Sequence, residues 1–209
     1  MPPRKRTTPA PLAQPVKARA QPVKPAAPRL RDAEQTRADI LRAARRAFAT
    51  AGYARSGMRD IAAAAGITPA LVVRYFGSKQ GLFVAAIAGE LALEPFLAAE
   101  RGVLGRHIAR HLFSKPRPEA DILTILLLAA GDEEVRGLAT ELFTARIVQP
   151  LARWLGPPRA EARASLLLAL ISGAWMFRRA LPLRSFAGGP DTVLVAELAA
   201  QLQRIVDGE

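Results

Sequence analysis

Cysteine is absent from this chain of 209 residues, and histidine occurs only twice. Without thiolates the chain cannot form disulfides, bind zinc or an iron–sulfur cluster through sulfur, or use a cysteine nucleophile. Because disulfides are not available to it, we expect the protein in a reducing compartment, the cytoplasm.

Long apolar runs and aromatic residues are also scarce. The two longest strongly apolar runs, 122–130 and 166–177, are shorter than the roughly 20 residues of a membrane-spanning helix. No membrane span and no membrane partner are therefore predicted. Aromatic residues make up 6% of the chain and apolar residues 50%, so the core must consist mainly of aliphatic side chains and alanine. This composition favours helices.

Acidic residues are missing from residues 1–31, which contain eight lysines and arginines and eight prolines. A segment of this composition cannot bury enough apolar surface to fold, and its prolines exclude the amphipathic helix of a transit peptide. We predict a disordered basic tail over 1–31 and no targeting signal. Two interpretations remain open: the tail only solubilises the protein, or it also attracts DNA phosphates.

The positive charge is concentrated near the N-terminus. The chain carries a net charge of +12, while residues 82–209 contain fourteen basic and fourteen acidic residues, so the whole excess lies before residue 82. A local basic excess attracts polyanions, because neutralised phosphates release their counterions. The N-terminal part is therefore the candidate nucleic-acid-binding region.

Residues 32–80 have the pattern of a small helical domain. Apolar residues at helical spacing predict a first amphipathic helix over 33–51. A second short helix is predicted over 58–65, and a third starts at Pro69 with the Thr68 hydroxyl as its cap. Two short helices joined by a glycine-containing turn of about three residues are typical of a helix-turn-helix.

Four runs of residues give this segment a more specific character. They are Ala51-Gly52-Tyr53, Met58-Arg59-Asp60-Ile61-Ala62, Ala65-Gly66-Ile67-Thr68-Pro69-Ala70-Leu71-Val72, and Phe76-Gly77-Ser78-Lys79 followed by Leu82-Phe83. Together they resemble the tetracycline-repressor (TetR) family of bacterial transcriptional regulators. The resemblance implies that the third helix lies in the major groove of double-stranded DNA.

The positions that match the DNA contacts of the family are Arg59, Thr68, Pro69, Ala70, Leu71, Arg74, Tyr75 and Lys79. The resemblance implies that the first half of the third helix faces the bases and that Thr68, Tyr75 and Lys79 contact phosphates. Arg74 is the candidate for base readout, because arginine can donate two hydrogen bonds to guanine. A phosphate contact or a surface ion pair is the alternative for Arg74. The sequence departs from the family at Val73, where a tyrosine that contacts phosphate is frequent.

Residues 81–209 continue with helical periodicity in segments separated by glycine and proline. The predicted helices are 79–93, 96–113, 118–130, 133–154, 159–180 and 191–206. The fold class is therefore all-α, with the helix-turn-helix domain joined to a larger helical domain. The resemblance implies that this larger domain serves ligand binding and dimerisation.

The last two predicted helices are apolar on two sides, so each needs two packing partners. The resemblance implies that they pair with a second copy as a four-helix bundle, whose two-fold axis places two recognition helices on one palindromic operator. The residues assigned to this homodimer interface are Leu167, Ile171, Ala174, Val195, Ala199 and Val206. The alternative is a larger core within a monomer.

The resemblance also implies that the larger domain binds a small-molecule effector of unknown identity. The candidates for lining an apolar cavity are Phe113, Phe143, Trp154, Trp175 and Met176. The alternative is that these residues are ordinary core.

Motifs of catalysis and of cofactor binding are not found. The sequence contains no HExxH, GxxxxGK, GxGxxG or GxSxG. His107 and His111 would share a helix face, but the arginines beside them disfavour a cation. The pair Glu133 and Glu134 is better placed to start a helix than to act on a substrate. No enzymatic activity, metal or cofactor is predicted.

The predicted function is sequence-specific regulation of transcription, by a ligand-responsive repressor that binds a palindromic operator as a dimer in the bacterial cytoplasm, at the nucleoid. One alternative is a non-specific architectural DNA-binding protein that uses the basic tail. The other is a helical ligand-binding or catalytic protein with a vestigial DNA-binding head. The ratio of specific to random-sequence affinity separates the regulator from the architectural protein.

Overall fold

The computed structural model describes residues 27–114, 120–190 and 192–209, and within these ranges the chain is helical without any strand. The predicted all-α class is confirmed. The α-helices are α1 (Ala27–Arg55), α2 (Met58–Ala64), α3 (Pro69–Phe76), α4 (Lys79–Ala88), α5 (Glu94–Leu97), α6 (Leu104–Ser114), α7 (Ile122–Ala130), α8 (Arg136–Phe143), α9 (Gln149–Leu155), α10 (Ala160–Trp175) and α11 (Val193–Asp207).

Short helical segments of other types extend or link these helices. A π-helical segment, Thr144–Val148, joins α8 to α9, and a second, Met176–Ala180, extends α10. Arg101–Val103 and Arg184–Phe186 are 3-10 turns.

Helix α1 is longer at its N-terminus than the sequence pattern predicted. It begins at Ala27, so residues 27–31, assigned above to a disordered tail, are helical; residues 1–26 lie outside the described residues. Near its C-terminus the helix is kinked at Gly52, which has a φ of +77°. A positive φ of this kind is favourable for glycine and costly for other residues, which is why the apolar periodicity ends there.

The first core lies between α1, α2, α3, α4, α7 and α8. It includes Ile40 and Phe48 from α1, Val72 from α3 and Phe83 from α4, all at most 1% exposed. The rings of Phe48 and Phe83 meet edge to face at a centroid distance of 5.3 Å. Because Ile125 of α7 belongs to the same cluster, this core crosses the domain boundary predicted at residue 80.

The second core lies between α6, α9, α10 and α11. Leu104, Leu167 and Leu202 are among its fully buried side chains. Helices α6 and α11 approach most closely at Gly105, where an added Cβ would lie 2.6 Å from the backbone nitrogen of Gln203. The Gly105 amide also donates a hydrogen bond to the Gln203 side chain at 3.0 Å. Only glycine lets the two backbones come this close.

Two arginines satisfy carbonyl groups at the ends of α9 and α11. The buried guanidinium of Arg163 donates to the carbonyl oxygens of Gly156, Pro158, Ile205 and Val206. Arg101 donates to those of Trp154, Leu155 and Val206. The last carbonyls of a helix have no partner within the helix, so these bonds replace water as the second core closes.

The predicted dimer residues lie on the sides of α10 and α11 that pack into the core of the subunit itself. Leu167, Ala174, Val195 and Val206 are buried within the subunit, while Ile171 and Ala199 are half-buried against the same core. The exposed apolar face of α10 is the opposite stripe, which includes Leu166 and Leu170 at 56% and 37% exposure. Both stripes have helical period, so periodicity did not distinguish the face that α6 and α9 cover from the face that they leave open.

The helix Ala160–Ala180, formed by α10 and its π-helical extension, is long and apolar enough to cross a membrane by length and composition. Its most apolar window of 18 residues has a mean hydropathy of 1.2. The prediction from the run 166–177 alone underestimated this helix. It packs on α9 and α11 and contains the buried Arg163, so we interpret it as a core helix with one uncovered face.

Candidate nucleic-acid interface

The turn between α2 and α3 has the geometry of a helix-turn-helix. Gly66 has a φ of +69°, and the Ile67 amide donates to the Ala62 carbonyl at 3.0 Å, which closes the turn. Ile61 and Val72 are buried and fix the two helices on α1 and α4. The opposite surface of α3 is thereby held outward on a rigid support.

Helix α3 starts at Pro69, as predicted, but the predicted hydroxyl cap is not formed. Thr68 is the N-cap residue in an extended conformation, and its side chain makes no capping hydrogen bond. The first amides of α3 therefore have no side-chain acceptor at Thr68. A helix N-terminus whose first amides have no side-chain acceptor favours binding of anions, including phosphate.

The residues predicted to face the bases form most of the outward surface of α3. Pro69, Ala70 and Arg74 are exposed, whereas Leu71 is half-buried. Val73, where the family frequently has tyrosine, is 49% exposed. Arg59 is exposed on the neighbouring α2. The structure thus brings a small apolar surface and two guanidinium groups to the same end of the molecule.

Two of the predicted phosphate contacts are held against α1. The Tyr75 hydroxyl donates to the Ala33 carbonyl at 3.3 Å. The Lys79 ammonium donates to the Ala54 carbonyl at 3.2 Å and lies 4.2 Å from the centroid of the Tyr53 ring. Both side chains are half-buried, so each has a defined position beside the recognition helix.

The turn between α3 and α4 explains why Lys79 has this position. Gly77 has a φ of +74°, and the Ser78 hydroxyl caps α4 by accepting from the Gly81 amide at 3.0 Å. A Cβ on Gly81 would collide with the Phe76 carbonyl oxygen. Positions 77 and 81 therefore favour glycine, and the turn between them sets Lys79 at the start of α4.

A polar junction that sequence reasoning missed lies behind this surface. One carboxylate oxygen of Glu134 accepts hydrogen bonds from the Tyr53 hydroxyl at 2.7 Å and from the Gln80 amide group at 3.2 Å. Burial and the nearby carboxylates of Glu134 and Asp132 raise the pKa of Tyr53 well above its usual value. Glu134 was assigned to a helix start, whereas α8 begins at Arg136. No local pattern could have indicated a contact across 81 positions.

A cavity of about 410 Å³ lies inside the larger domain and is lined mostly by apolar side chains from α5 to α10. The predicted residues Phe143 and Trp175 line it. The Trp175 indole nitrogen donates to the Asp121 carboxylate at 2.6 Å. A neighbouring cavity of about 600 Å³ shares Phe143 and Trp175 and is also lined by Met176. Cavities of this size and polarity are typical of small-molecule sites.

The remaining predicted cavity residues belong to other contacts. Phe113 is buried in the second core, and the Arg178 guanidinium lies 4.6 Å from its ring centroid. Trp154 is half-buried and packs against Arg101 at 4.9 Å. Neither lines the 410 Å³ cavity. Both residues pack in the interior, which was the alternative considered for them. Helical periodicity does not distinguish a core residue from one that lines a cavity.

Metal-binding clusters are not found among the described residues, where no three histidine, aspartate or glutamate side chains come together. His107 and His111 have ring centroids 6.5 Å apart, and the His111 ring packs against Phe96 at 5.0 Å. The geometry therefore provides two rings on one helix face without a third ligand.

Comparison with known proteins covers both domains. Residues 40–86 match the family model for bacterial regulatory proteins of the tetR family, and residues 103–206 match that for the tetracyclin repressor-like C-terminal domain. No curated protein sequence matches the chain.

Several solved structures have this fold. A TetR-family regulator from Streptomyces coelicolor A3 is 24% identical over 83% of this chain and 96% of its own, with a TM-score of 0.54. GusR from Salmonella enterica is 24% identical over 83% and 94%, with a TM-score of 0.62. NalD, the secondary repressor of the MexAB-OprM multidrug efflux pump in Pseudomonas aeruginosa, is 22% identical over 83% and 96%, with a TM-score of 0.57. With both family models matched on a helix-turn-helix head and a helical domain with a cavity, this chain belongs to the TetR family of DNA-binding transcriptional regulators.

Proposed function

We propose that this regulator is a ligand-responsive repressor that binds a palindromic DNA operator as a homodimer. The observation that carries the proposal is the exposed surface of α3. The buried side of α3 packs in a core that is shared with the domain containing an apolar cavity. It acts in the bacterial cytoplasm, at the nucleoid. Its proposed parts are a basic tail that precedes α1, a DNA-binding head that extends to residue 80, and an effector and dimerisation domain at 81–209.

Operator recognition is assigned to the surface already described. Arg74 reads a base edge, and Leu71 with Ala70 supplies apolar contact to a thymine methyl group. Thr68, Tyr75 and Lys79 bind phosphates and set the register on the duplex. The exposure of Arg74 and the defined positions of Tyr75 and Lys79 support these roles.

The homodimer is assigned to the uncovered face of α10. Leu166 and Leu170 project from this face, and the half-buried Gly173 lies one turn further along the helix. The small glycine permits close approach of a second α10, and burial of the leucines supplies the hydrophobic stabilisation. A two-fold axis through this face would relate two α3 helices, which is what a palindromic operator requires.

The effector is assigned to the cavity lined by Phe143 and Trp175. Among similar structures, the multidrug binding protein EbrR is complexed with proflavin, and a regulator from Saccharomonospora viridis is in complex with choline. For this chain we propose a largely apolar small molecule. This ligand weakens operator binding only if it has different affinities for two states of the protein, one whose DNA-binding heads fit the operator and one whose heads do not.

The experiment that tests the proposal is selection of bound duplexes from a random DNA library at near-physiological salt. The full chain is compared with a protein that lacks residues 1–26, since α1 begins at Ala27. A palindromic consensus from both proteins supports the dimeric operator reader. Loss of affinity with the tail and no consensus would favour the architectural alternative instead.

A further inference from the structure

We propose that Glu134 is the positioning residue that holds the DNA-binding head in the orientation that operator binding requires. This inference rests on the proposed function and adds to it a specific junction between the head and the effector domain. The junction consists of the Glu134 carboxylate, the Tyr53 hydroxyl and the Gln80 side-chain amide.

On the side of the head, the junction reaches two helices at once. Tyr53 lies just after the kink of α1 and is 2% exposed, and its ring contacts Phe83 of α4 edge to face at 5.5 Å. Gln80 lies in the first turn of α4, next to Lys79. Because Lys79 covers the Tyr53 ring, a shift of this ring also moves a proposed phosphate contact.

On the side of the effector domain, Glu134 lies in the turn between α7 and α8. The Asp132 carboxylate accepts a hydrogen bond from the Glu134 amide at 3.0 Å, which shapes this turn. Helix α7 begins at the cavity, where Asp121 caps it and binds Trp175, and α8 ends at Phe143 in the cavity wall. Each of the two helices that flank Glu134 therefore has one end in the wall of the cavity.

The hydrogen bonds of Glu134 differ from the ion pair that Arg45 and Glu90 form near the head. Arg45 and Glu90 are 2.9 Å apart and link α1 to the residues just after α4. Glu134 belongs to a turn between two other helices, so its bonds to Tyr53 and Gln80 restrain α1 and α4 relative to α7 and α8. Hydrogen bonds to a charged acceptor are stronger than neutral ones, which suits this use.

The test compares Glu134→Ala with Glu133→Ala, which removes an adjacent, exposed carboxylate and is the matched control. Affinity is measured for the selected operator and for a random duplex of equal length. Operator binding requires a defined orientation of the head, whereas random DNA does not. Glu134→Ala is therefore expected to lower operator affinity by roughly 3- to 30-fold. Random-duplex affinity and the Glu133→Ala variant are expected to change by less than about 2-fold, the lower end of such couplings.

A second measurement uses the absence of cysteine from the chain. A single Ala63→Cys substitution on the exposed surface of α2 allows one spin label to be attached to each head. The distance between the two labels in the dimer is then measured by electron paramagnetic resonance. With Glu134→Ala added, the distance distribution is expected to broaden. Glu134→Gln, which retains an oxygen acceptor, is expected to recover most of the wild-type distribution and affinity.

The outcomes separate this inference from the proposed function. If the wild-type chain selects no operator, the proposed function fails. If the operator is bound but Glu134→Ala and Glu133→Ala behave alike in affinity and label distance, the function stands and the role of Glu134 is refuted. A fall in thermal stability alone, with unchanged operator affinity and label distance, would likewise reduce Glu134 to a structural residue.

Discussion

At the scale of single residues, the proposed DNA-binding surface combines groups that are presented outward with groups that are held by the protein itself. Arg74 and Arg59 are exposed, whereas Tyr75 and Lys79 are hydrogen-bonded to carbonyl groups of α1. The first kind of group can search a base edge, and the second is positioned before DNA arrives. We therefore expect different consequences when members of the two kinds are removed.

Substitution of Arg74 by alanine is expected to lower operator affinity by about 1–3 kcal/mol and to relax the sequence preference at one base pair in each half-site. The reason is the loss of a side chain that can donate two hydrogen bonds to guanine. Quantitative binding to the consensus and to its single-base variants measures both effects. Arg146→Ala, which removes one exposed positive charge from the effector domain, serves as the control. An unchanged base preference in Arg74→Ala would contradict the assignment.

Substitution of Lys79 by alanine is expected to weaken binding to operator and random DNA alike, because an ammonium group at a phosphate senses charge and not sequence. The slope of log affinity against log salt should decrease by about 1. Titrations at four salt concentrations measure this slope. Since Lys79 also covers the Tyr53 ring, thermal unfolding is followed in parallel, so that loss of the phosphate contact is distinguished from loss of folding. A loss confined to one sequence would be inconsistent with a phosphate contact.

At the scale of secondary structure, each helix end in the head is set by its own local residues, whereas the larger domain depends on contacts between distant segments. In the head, Gly52 sets the kink of α1 through a positive φ, while Pro69 and Ser78 set the starts of α3 and α4 through a fixed φ and a side-chain cap. In the larger domain, α9 and α11 end on the guanidinium groups of Arg101 and Arg163. Gly156 and Gly208, which have φ values of +67° and +90°, mark these two ends locally, but the guanidinium contacts come from segments up to 105 positions away.

The close approach of α6 and α11 leads to a prediction about glycine. Gly105→Ala is expected to lower the free energy of unfolding by about 1–3 kcal/mol, because its Cβ would overlap the backbone at Ala199 and Gln203. Gly137→Ala is the control, since α8 leaves open space at that position. Relief of backbone entropy should make the control about 0.5–1 kcal/mol more stable. Chemical denaturation of both variants measures the difference. Equal stability of the two would show that α11 moves away at little cost.

At the scale of the whole molecule, two cores and one open face determine how the parts work together. The first core joins the DNA-binding head to α7 and α8, so the head is packed on the domain that holds the cavity. The second core leaves Leu166 and Leu170 outside. An exposed apolar face of this kind is expected to be covered, and in the proposed homodimer a second copy covers it with the symmetry that a palindromic operator needs.

Placing a charge on the open face should therefore separate the subunits. The wild-type chain is expected to sediment as a dimer at micromolar concentration and Leu166→Asp as a monomer, because two buried carboxylates would face each other without partners. Operator affinity should fall with dimerisation. Val73→Asp, the same type of change at an exposed site on α3, is the control for oligomeric state. A dimeric Leu166→Asp protein would place the interface elsewhere.

Much of the DNA-binding head could be predicted because its determinants are local. The Gly66 turn, the start of α3 at Pro69 and the Ser78 cap each depend on residues within about one helical turn. The outward placement of Arg74 follows from the burial of Val72 on the same short helix. The failed prediction in this region, the hydroxyl cap of Thr68, concerns a side-chain rotamer that residue type alone does not determine.

The sequence by itself determined the all-α class, the helix-turn-helix and the balance of charge between the parts of the chain, because periodicity, turn residues and composition act over short distances. Only the tertiary structure decided which of two apolar stripes on α10 is buried, that Phe143 rather than Phe113 borders a cavity, and that Glu134 meets Tyr53. These outcomes depend on how segments far apart in the chain pack together. Helical period assigns a residue to a face, but the neighbouring helices determine what that face contacts.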